Sequence, residues 1–334
     1  MSELLTALRL ARGSSLSGKN LGERLGISRA AIWKRIRALN RNGYVVEARR
    51  GMGYRLVREP DVLTWEAVAP LLPEGLFQAD RYHYLAEVGS SNEEVVTRAR
   101  QGAPEGTVVV AESQTHGRGR LGRRWNSPPG MNLYFSCLLR PDMSPNRTFQ
   151  LTLLAGLALA EAVQEAGFAE ATIKWPNDLL LRGRKLAGIL TEMSAEMDRV
   201  HYVVVGVGLN VHLTTAALPS ELRDIAIGLA DVYAASSVPG GGAAPAPPLR
   251  RNLLVGFLGR FQEWYQRYRE RGFGVVREAW MERARIQDRR VTVHLLKETF
   301  TGTALEMDPD GFLLVRCDED QTIRRVVAGD VAMV

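Results

Sequence analysis

Cysteine is scarce in this sequence: two residues in 334, Cys137 and Cys317, far apart and in no C-x-x-C spacing. That excludes a disulfide framework, makes a thiolate zinc site unexpected and points to a reducing cytoplasm. Histidine is sparse too, five residues with no metal-ligand spacing, so no resident metal is expected and His116 is given no role. Long apolar runs are missing. The most apolar stretch, "LTLLAGLALAEAV" from Leu151, suits a buried helix and is too short to span a bilayer, so no membrane partner is expected. The first residues, "MSELLTALRLARGSSLSGKN", lack the apolar run of a signal peptide. No internal repeat is visible. "SSVPGGGAAPAPP" (Ser236–Pro248) is low in complexity and reads as a flexible surface loop.

What is present is charge, unevenly placed. Residues 1–60 hold 13 Lys and Arg against 4 Asp and Glu, net +9, whereas the whole chain carries only +6. An excess of this kind suggests a polyanion as partner for the first segment. There "KNLGERLGISRAAIWKRIRALNRNGYVVEARRGMGYRL" reads as helix, turn, helix and β-wing. Gly26 ends the first helix and Ser28 is placed to cap the second. Ile32, Ile36 and Leu39 form an inward stripe at i, i+4, i+7. Ala30, Lys34, Arg37 and Arg41 fall on the opposite face. A small residue near the start of a basic face lets a helix lie close in a DNA groove. With Arg29, and with Arg49 and Arg50 at the hairpin tip, these are the candidate DNA contacts; the arginines are assigned to phosphates.

"REPDVLTWEAV" around Pro60 reads as a linker, and a mixed α/β pattern follows. A helix is expected over Asn92–Gln101 and a long apolar one over Arg147–Ala166. Strands are expected at "TVVVAES", "NLYFSCLL", "TIKW", "DLLL", "KLAGILTEM" and "VHYVVVGVGLNV", then a helix over "RRNLLVGFLGRFQEWYQRYRERG". Between the first two strands lies "HGRGRLGRRW", His116–Trp125, with Gly117-x-Gly119-x-x-Gly122 and Arg118, Arg120, Arg123 and Arg124. A dinucleotide fingerprint needs a helix directly after the glycines. Here "RRWNSPPG" follows, and Pro128-Pro129-Gly130 forbids one. The better reading is a glycine-rich loop that wraps a small polyanion with backbone N–H groups and guanidinium forks. Further on, Asp178 and Lys185 flank a turn at Arg182-Gly183-Arg184; the residues alone read as a surface ion pair or as a hairpin that brings both to one cleft.

"AESQTHGRGRLGRRWNSPPGMNLYFS", "KWPNDLLLRGRKLAGILTE" and "GVGLN", in this order and spacing, closely resemble biotin protein ligase. With the basic winged helix in front, the whole chain resembles the bifunctional kind that also represses the biotin operon. The resemblance implies a winged helix-turn-helix over 1–62, an α+β biotin/lipoate-ligase-like catalytic domain with a mixed sheet over 63–285, and a small SH3-like β-barrel over 286–334. It implies biotin and ATP as substrates with Mg²⁺, biotinyl-5′-AMP as intermediate, and a lysine of a biotin carboxyl carrier protein as acceptor. Operator DNA and a homodimer promoted by biotinyl-AMP complete the expected partners.

Residue roles follow from the same resemblance. Lys185, Arg120 and Asp178 match the catalytic set, with Lys185 on the biotin carboxyl and α-phosphate and Asp178 orienting the incoming amine. Ser90, Ser91, Asn92 and Gln114 match the positions lining the biotin head group, to which Arg118, Gly119, Arg120 and Lys185 add. The family has threonine where Ser91 stands, a loss of one methyl. Arg118, Arg120, Arg123, Trp125, Lys185 and Asn210 match the ATP and adenylate side. Trp125 reads equally as a ligand wall or a core aromatic, and Gly206 and Gly208 leave room for the ligand. The loop is loose when empty in this family and orders over the ligand. Three readings stay open from sequence: ligase and repressor, ligase with a structural winged helix, and a sensor without activity, against which Arg120, Asp178 and Lys185 speak.

Overall fold

The computed structural model describes residues 2–333 apart from 12, 50, 236–247 and 296. Arg50 and most of the Ser236–Pro248 stretch thus lie outside the described residues. The chain divides into two compact units, Met1–Val62 and Leu63–Val334.

In the first unit α1 (Ser2–Leu10), α2 (Gly18–Leu25) and α3 (Arg29–Arg41) precede a hairpin of β1 (Val45–Arg49) and β2 (Gly53–Arg58). Ser28 caps α3 as expected, its hydroxyl accepting from the Ala31 N–H at 3.2 Å. Gly26 adopts the left-handed conformation that ends α2. Ile32, Ile36 and Leu39 join Leu4, Leu5 and Leu8 of α1 in the unit's core. Helix α1 is an element the sequence reading does not name.

The second unit begins inside the expected linker. Leu63 and Val68 are fully buried, and α4 (Trp65–Val68) already belongs to this unit, so the linker reading fails beyond Val62. Seven strands form one sheet: β3 (Tyr82–Val88), β4 (Val108–Gln114), β5 (Leu133–Leu139), β6 (Thr172–Lys174), β7 (Asp178–Leu181), β8 (Arg184–Ala195) and β9 (Val200–Leu209). Their order is β3-β4-β5-β9-β8-β7-β6, with β3 and β4 parallel across helix α5 (Ser91–Arg100) and every other pair antiparallel. The mixed sheet is as expected.

Strand alternation gives the sheet two different faces. One buries Val108, Val110, Val203 and Val205 under α6 (Phe149–Glu165), α8 (Arg250–Arg271) and α9 (Gly274–Ala284). Helix α6 is buried almost all round, the expected fate of a helix apolar on every side. The other face packs Val109, Leu138, Tyr202 and Val204 under Val95 and Ala99 of α5. A short helix α7 (Leu229–Ala235) precedes α8.

The last strands are β10 (Arg290–His294), β11 (Thr299–Met307), β12 (Leu313–Cys317), β13 (Ile323–Val326) and β14 (Asp330–Met333), antiparallel in the order β13-β12-β11-β10-β14. Among the described residues no pairing joins β13 to β14, so the sheet is open rather than a closed barrel. Asp308–Gly311 makes the turn expected there: Asp308 Oδ1 accepts from the Asp310 and Phe312 N–H groups, each at 2.9 Å. Val291, Val293 and Leu313 share one core with α6 and α8.

Candidate active site

The site lies on the α5 side of the sheet, where large side chains give way to small ones. Register places Tyr134, Gly208, Gly188 and Asp178 in one row across β5, β9, β8 and β7. Ser136, Gly206 and Leu190 form the next row, and Leu138, Val204 and Glu192 the third. Two glycines side by side leave a hollow, and a cavity of about 240 Å³ opens above them.

The neutral end of the cavity is a network of buried hydroxyls and amides. Ser90, Ser91 and Asn92 stand at the start of α5, each at most 5% exposed. Ser90 occupies the N-cap position of α5, but its hydroxyl makes no capping hydrogen bond. Gln114 accepts the Ser91 N–H at 2.8 Å and donates to the Ser127 hydroxyl at 3.0 Å. Ser136 Oγ stands 2.8 Å from Ser91 Oγ and 2.6 Å from Asn92 Oδ1, and the Asn92 amide donates to Glu192 at 2.7 Å. Ser136 and Glu192 were missed in the sequence. A lone hydroxyl within apolar "LYFSCLL" was the available signal for the first.

The cationic end is built on the hairpin and the arginine loop. Arg182 and Gly183 both have positive φ, 51° and 75°, and reverse the chain between β7 and β8. A register shift beside Leu179–Leu180 then turns Lys185 toward Gly188. Lys185 Nζ lies 2.6 Å from Asp178 Oδ1 and 5.6 Å from the centre of the Trp125 ring. The expected cleft for Asp178 and Lys185 therefore exists.

The loop folds back on itself: the Gly119 N–H donates to Arg123 O at 2.7 Å and the Trp125 N–H to Gly117 O at 2.9 Å. No α-helix starts after Gly122, and the chain runs into β5. Arg118 pairs with Glu93. Arg120 donates to Asn177 Oδ1 at 2.8 Å and to the Gly329 carbonyl at 3.3 Å. Burial lowers the affinity of the Arg120 guanidinium for its proton, and Asp178 and Asp330 oppose that effect. Arg123 Nη1 lies 3.6 Å from Asp330. The Trp125 ring lies on the two-glycine floor: a Cβ on Gly208 would come within 2.4 Å of it, and one on Gly206 within 1.9 Å of Asn92 Oδ1. Trp125 and Asn92 thus stand close over these glycines, and both glycines still line the cavity.

Asn210 is buried, and its amide is engaged, donating to Ile227 O at 3.2 Å and receiving Asn132 Nδ2 at 3.3 Å. Leu213, Leu218, Leu222 and Ile225 form an apolar wall that sequence reading overlooked. Its segment is tied to Lys185, whose N–H donates to Ile225 O at 2.8 Å and whose carbonyl accepts from Ile227 at 3.0 Å.

In the first unit Arg29, Ala30, Lys34, Arg37 and Arg41 are all exposed on α3, and Arg49 is exposed at the end of β1. The Arg37 guanidinium stacks over exposed Trp33 at 4.8 Å. Among the described residues no three His, Cys, Asp or Glu gather as a metal site, and no helix is long and apolar enough to cross a membrane.

Fold and site together define a biotin/lipoate-type protein ligase joined to a helix-turn-helix unit. Residues 86–210 match the Biotin/lipoate A/B protein ligase family, 1–55 an HTH domain and 288–334 the Biotin protein ligase C terminal domain. The chain is 37% identical to the Bifunctional ligase/repressor BirA of Bacillus subtilis (strain 168) over 333 residues, 99% of this chain and 98% of that one. To the protein of that name from Salmonella typhimurium it is 30% identical, over 97% of this chain and 95% of the other. A solved biotin protein ligase from Aquifex aeolicus, in complex with biotin and ATP, superposes with a TM-score of 0.62 at 27% identity, covering 77% of this chain and 99% of that one. The chain belongs to the family of bifunctional biotin ligase/repressors.

Proposed function

We propose that this chain joins biotin to ATP, passes the biotinyl group to a lysine of a biotin carboxyl carrier protein, and represses biotin genes when loaded with biotinyl-5′-AMP. One observation carries the reading: a single cavity has a neutral floor of hydroxyls and amides at one end and a wall of cations at the other. A ureido ring with two N–H donors and one acceptor suits the first, and a carboxylate meeting a triphosphate needs the second.

In the first step a biotin carboxylate oxygen attacks the α-phosphorus, a P–O bond breaks and pyrophosphate leaves. Lys185 stabilises the charge that builds on the α-phosphate, and Arg118, Arg120 and Arg123 hold the remaining anionic oxygens. In the second step the acceptor amine attacks the acyl carbon and AMP leaves. Asp178 orients that amine and takes up its proton. Trp125, packed on Gly208 and Gly188, is a wall against the ligand. Asn210 faces the adenine side; with its amide engaged, it contributes its remaining acceptor capacity and the backbone around it. The carboxylates of the cavity, Asp178 and Asp330, are paired with the chain's own cations. That donor set fits a Mg²⁺ ion that arrives on the ATP phosphates and keeps its waters, supplying charge neutralisation there.

The expected division at residues 62 and 285 and the SH3-like character of β10–β14 are parts of the same proposal. So are the biotinyl-AMP-promoted homodimer, contacts of α3 and the wing with a palindromic operator, and a cytoplasmic location, which two buried free cysteines favour. The test is incubation with labelled biotin, Mg-ATP and a carrier domain. Label on the carrier lysine is the expected result, and its absence sinks the ligase reading. A gel shift on biotin-gene promoter DNA, with and without biotin plus ATP, tests the other half. Retention that ignores the ligand would leave the winged helix as a structural appendage.

A further inference from the structure

The segment before β14 reaches into the cavity with two consecutive groups. Gly329 has a φ of 133°, and a Cβ there would meet His294 O at 2.6 Å, so only glycine makes this turn without strain. Its carbonyl accepts from Arg120 at 3.3 Å. The next residue, Asp330, places Oδ1 2.8 Å from Lys174 Nζ on β6 and Oδ2 3.6 Å from Arg123. Both residues line the same cavity as Lys185. One carboxylate from the C-terminal sheet thus sits among the cations of the arginine loop and the β6–β8 strands.

We propose that Asp330 is the resident anion of the phosphate site: it keeps Lys174 and Arg123 in place before ATP arrives, and the triphosphate displaces it. The inference rests on the ligase reading above. Partial burial alone would raise the Asp330 carboxyl, yet Lys174, with Arg123 and Lys185 behind it, holds it below the ordinary carboxylate range. It is therefore an anion across the working pH range. Its exposure, 40% for the side chain, keeps the pairs weak enough to exchange. A carboxylate and a phosphate offer guanidinium and ammonium groups the same kind of oxygen acceptor, so one can stand in for the other. Asp330 touches cations rather than substrate, which makes it a positioning residue. Lys174 becomes, on this view, a further phosphate contact.

The probe is inorganic tripolyphosphate, titrated into the full-length protein by calorimetry, followed by ATP–pyrophosphate exchange. Asp330→Asn removes the resident charge without changing shape. Tripolyphosphate should bind this variant roughly fivefold tighter, on the scale of one partly exposed ion pair. The KM for ATP should fall by a similar factor while that for biotin stays put, and Asp330→Glu should restore wild-type values. Asp320→Asn, in the turn between β12 and β13, controls for net charge and should change neither. Unchanged tripolyphosphate binding overturns the proposal. So does weaker binding, which would make Asp330 a holder of the nucleotide or its metal, and so does a joint shift of both KM values. A wild type that binds tripolyphosphate but exchanges no pyrophosphate would sink the ligase reading and leave the resident anion standing.

Discussion

The arginines of the cavity loop and those of α3 are held in opposite ways. In the cavity each loop guanidinium already has an acceptor from the chain: Arg118 on Glu93, Arg120 on Asn177 and Gly329, Arg123 on Asp330, and Arg124 on the Thr115 carbonyl. On α3, Arg29, Lys34, Arg37 and Arg41 point to solvent, and among the described residues none has a carboxylate partner; Arg37 rests on Trp33. The difference matches two kinds of anion. A small ligand that must be oriented to within a bond length needs cations whose directions are fixed beforehand. A polyanion needs density of charge, and its affinity comes largely from releasing counterions.

The sharpest break of the first cluster is Lys185→Ala. Alanine removes the cation over the Gly188 floor and leaves Asp178 without its partner. A loss on the order of 3 kcal/mol of transition-state stabilisation is expected, about a hundredfold in pyrophosphate exchange. Exchange within threefold of wild type would remove Lys185 from the mechanism.

Ser136→Ala probes the neutral end instead. It takes a partner from both Ser91 and Asn92 in a fully buried setting, at a cost of about 1–3 kcal/mol. The KM for biotin should rise by roughly tenfold, with that for ATP unchanged. Equal effects on both would mean that the two ends of the cavity are not separable. Arg120→Ala should act less on rate than on retention. The loop loses its ties to Asn177 and Gly329, and biotinyl-AMP should escape and label a bystander protein a few-fold faster, because an open site cannot exclude water or hold the anhydride. No increase in bystander labelling would count against a gating role.

These outcomes turn partly on residues that sequence alone exposed and partly on ones it hid. Local signals were legible. The Ser28 cap, the Ile32–Ile36–Leu39 stripe, the hairpin between Asp178 and Lys185, and the interrupted glycine pattern after Gly122 each follow from neighbours a few positions apart. Hidden were contacts across long separations. Nothing near Asp330 in the sequence announces that it reaches Lys174, 156 positions away. Nor does spacing show that Trp125 and Asn92 pack against Gly208 and Gly206, since alternation fixes which face a glycine opens but not what enters it. Helix α1 went unread, although Leu4, Leu5 and Leu8 are buried.

The second cluster should respond to salt where the first responds to shape. Arg41 lies in the last turn of α3, exposed and, among the described residues, without a carboxylate partner, so it suits a phosphate rather than a base edge. Arg41→Ala should weaken operator binding only a few-fold and do so alike for specific and random DNA. It should lower the slope of log affinity against log salt by about one. Arg37→Ala is the informative contrast. Its guanidinium is oriented by the Trp33 ring, so a loss larger on operator than on random DNA would assign it a base. Neither variant should alter pyrophosphate exchange, since both residues belong to the unit Met1–Val62 and the cavity lies wholly in the other. If Arg41→Ala leaves the salt slope unchanged, the exposed face of α3 is not the polyanion surface. The free cations there would then be ordinary solvated charge, and the contrast between the two clusters would lose its functional meaning.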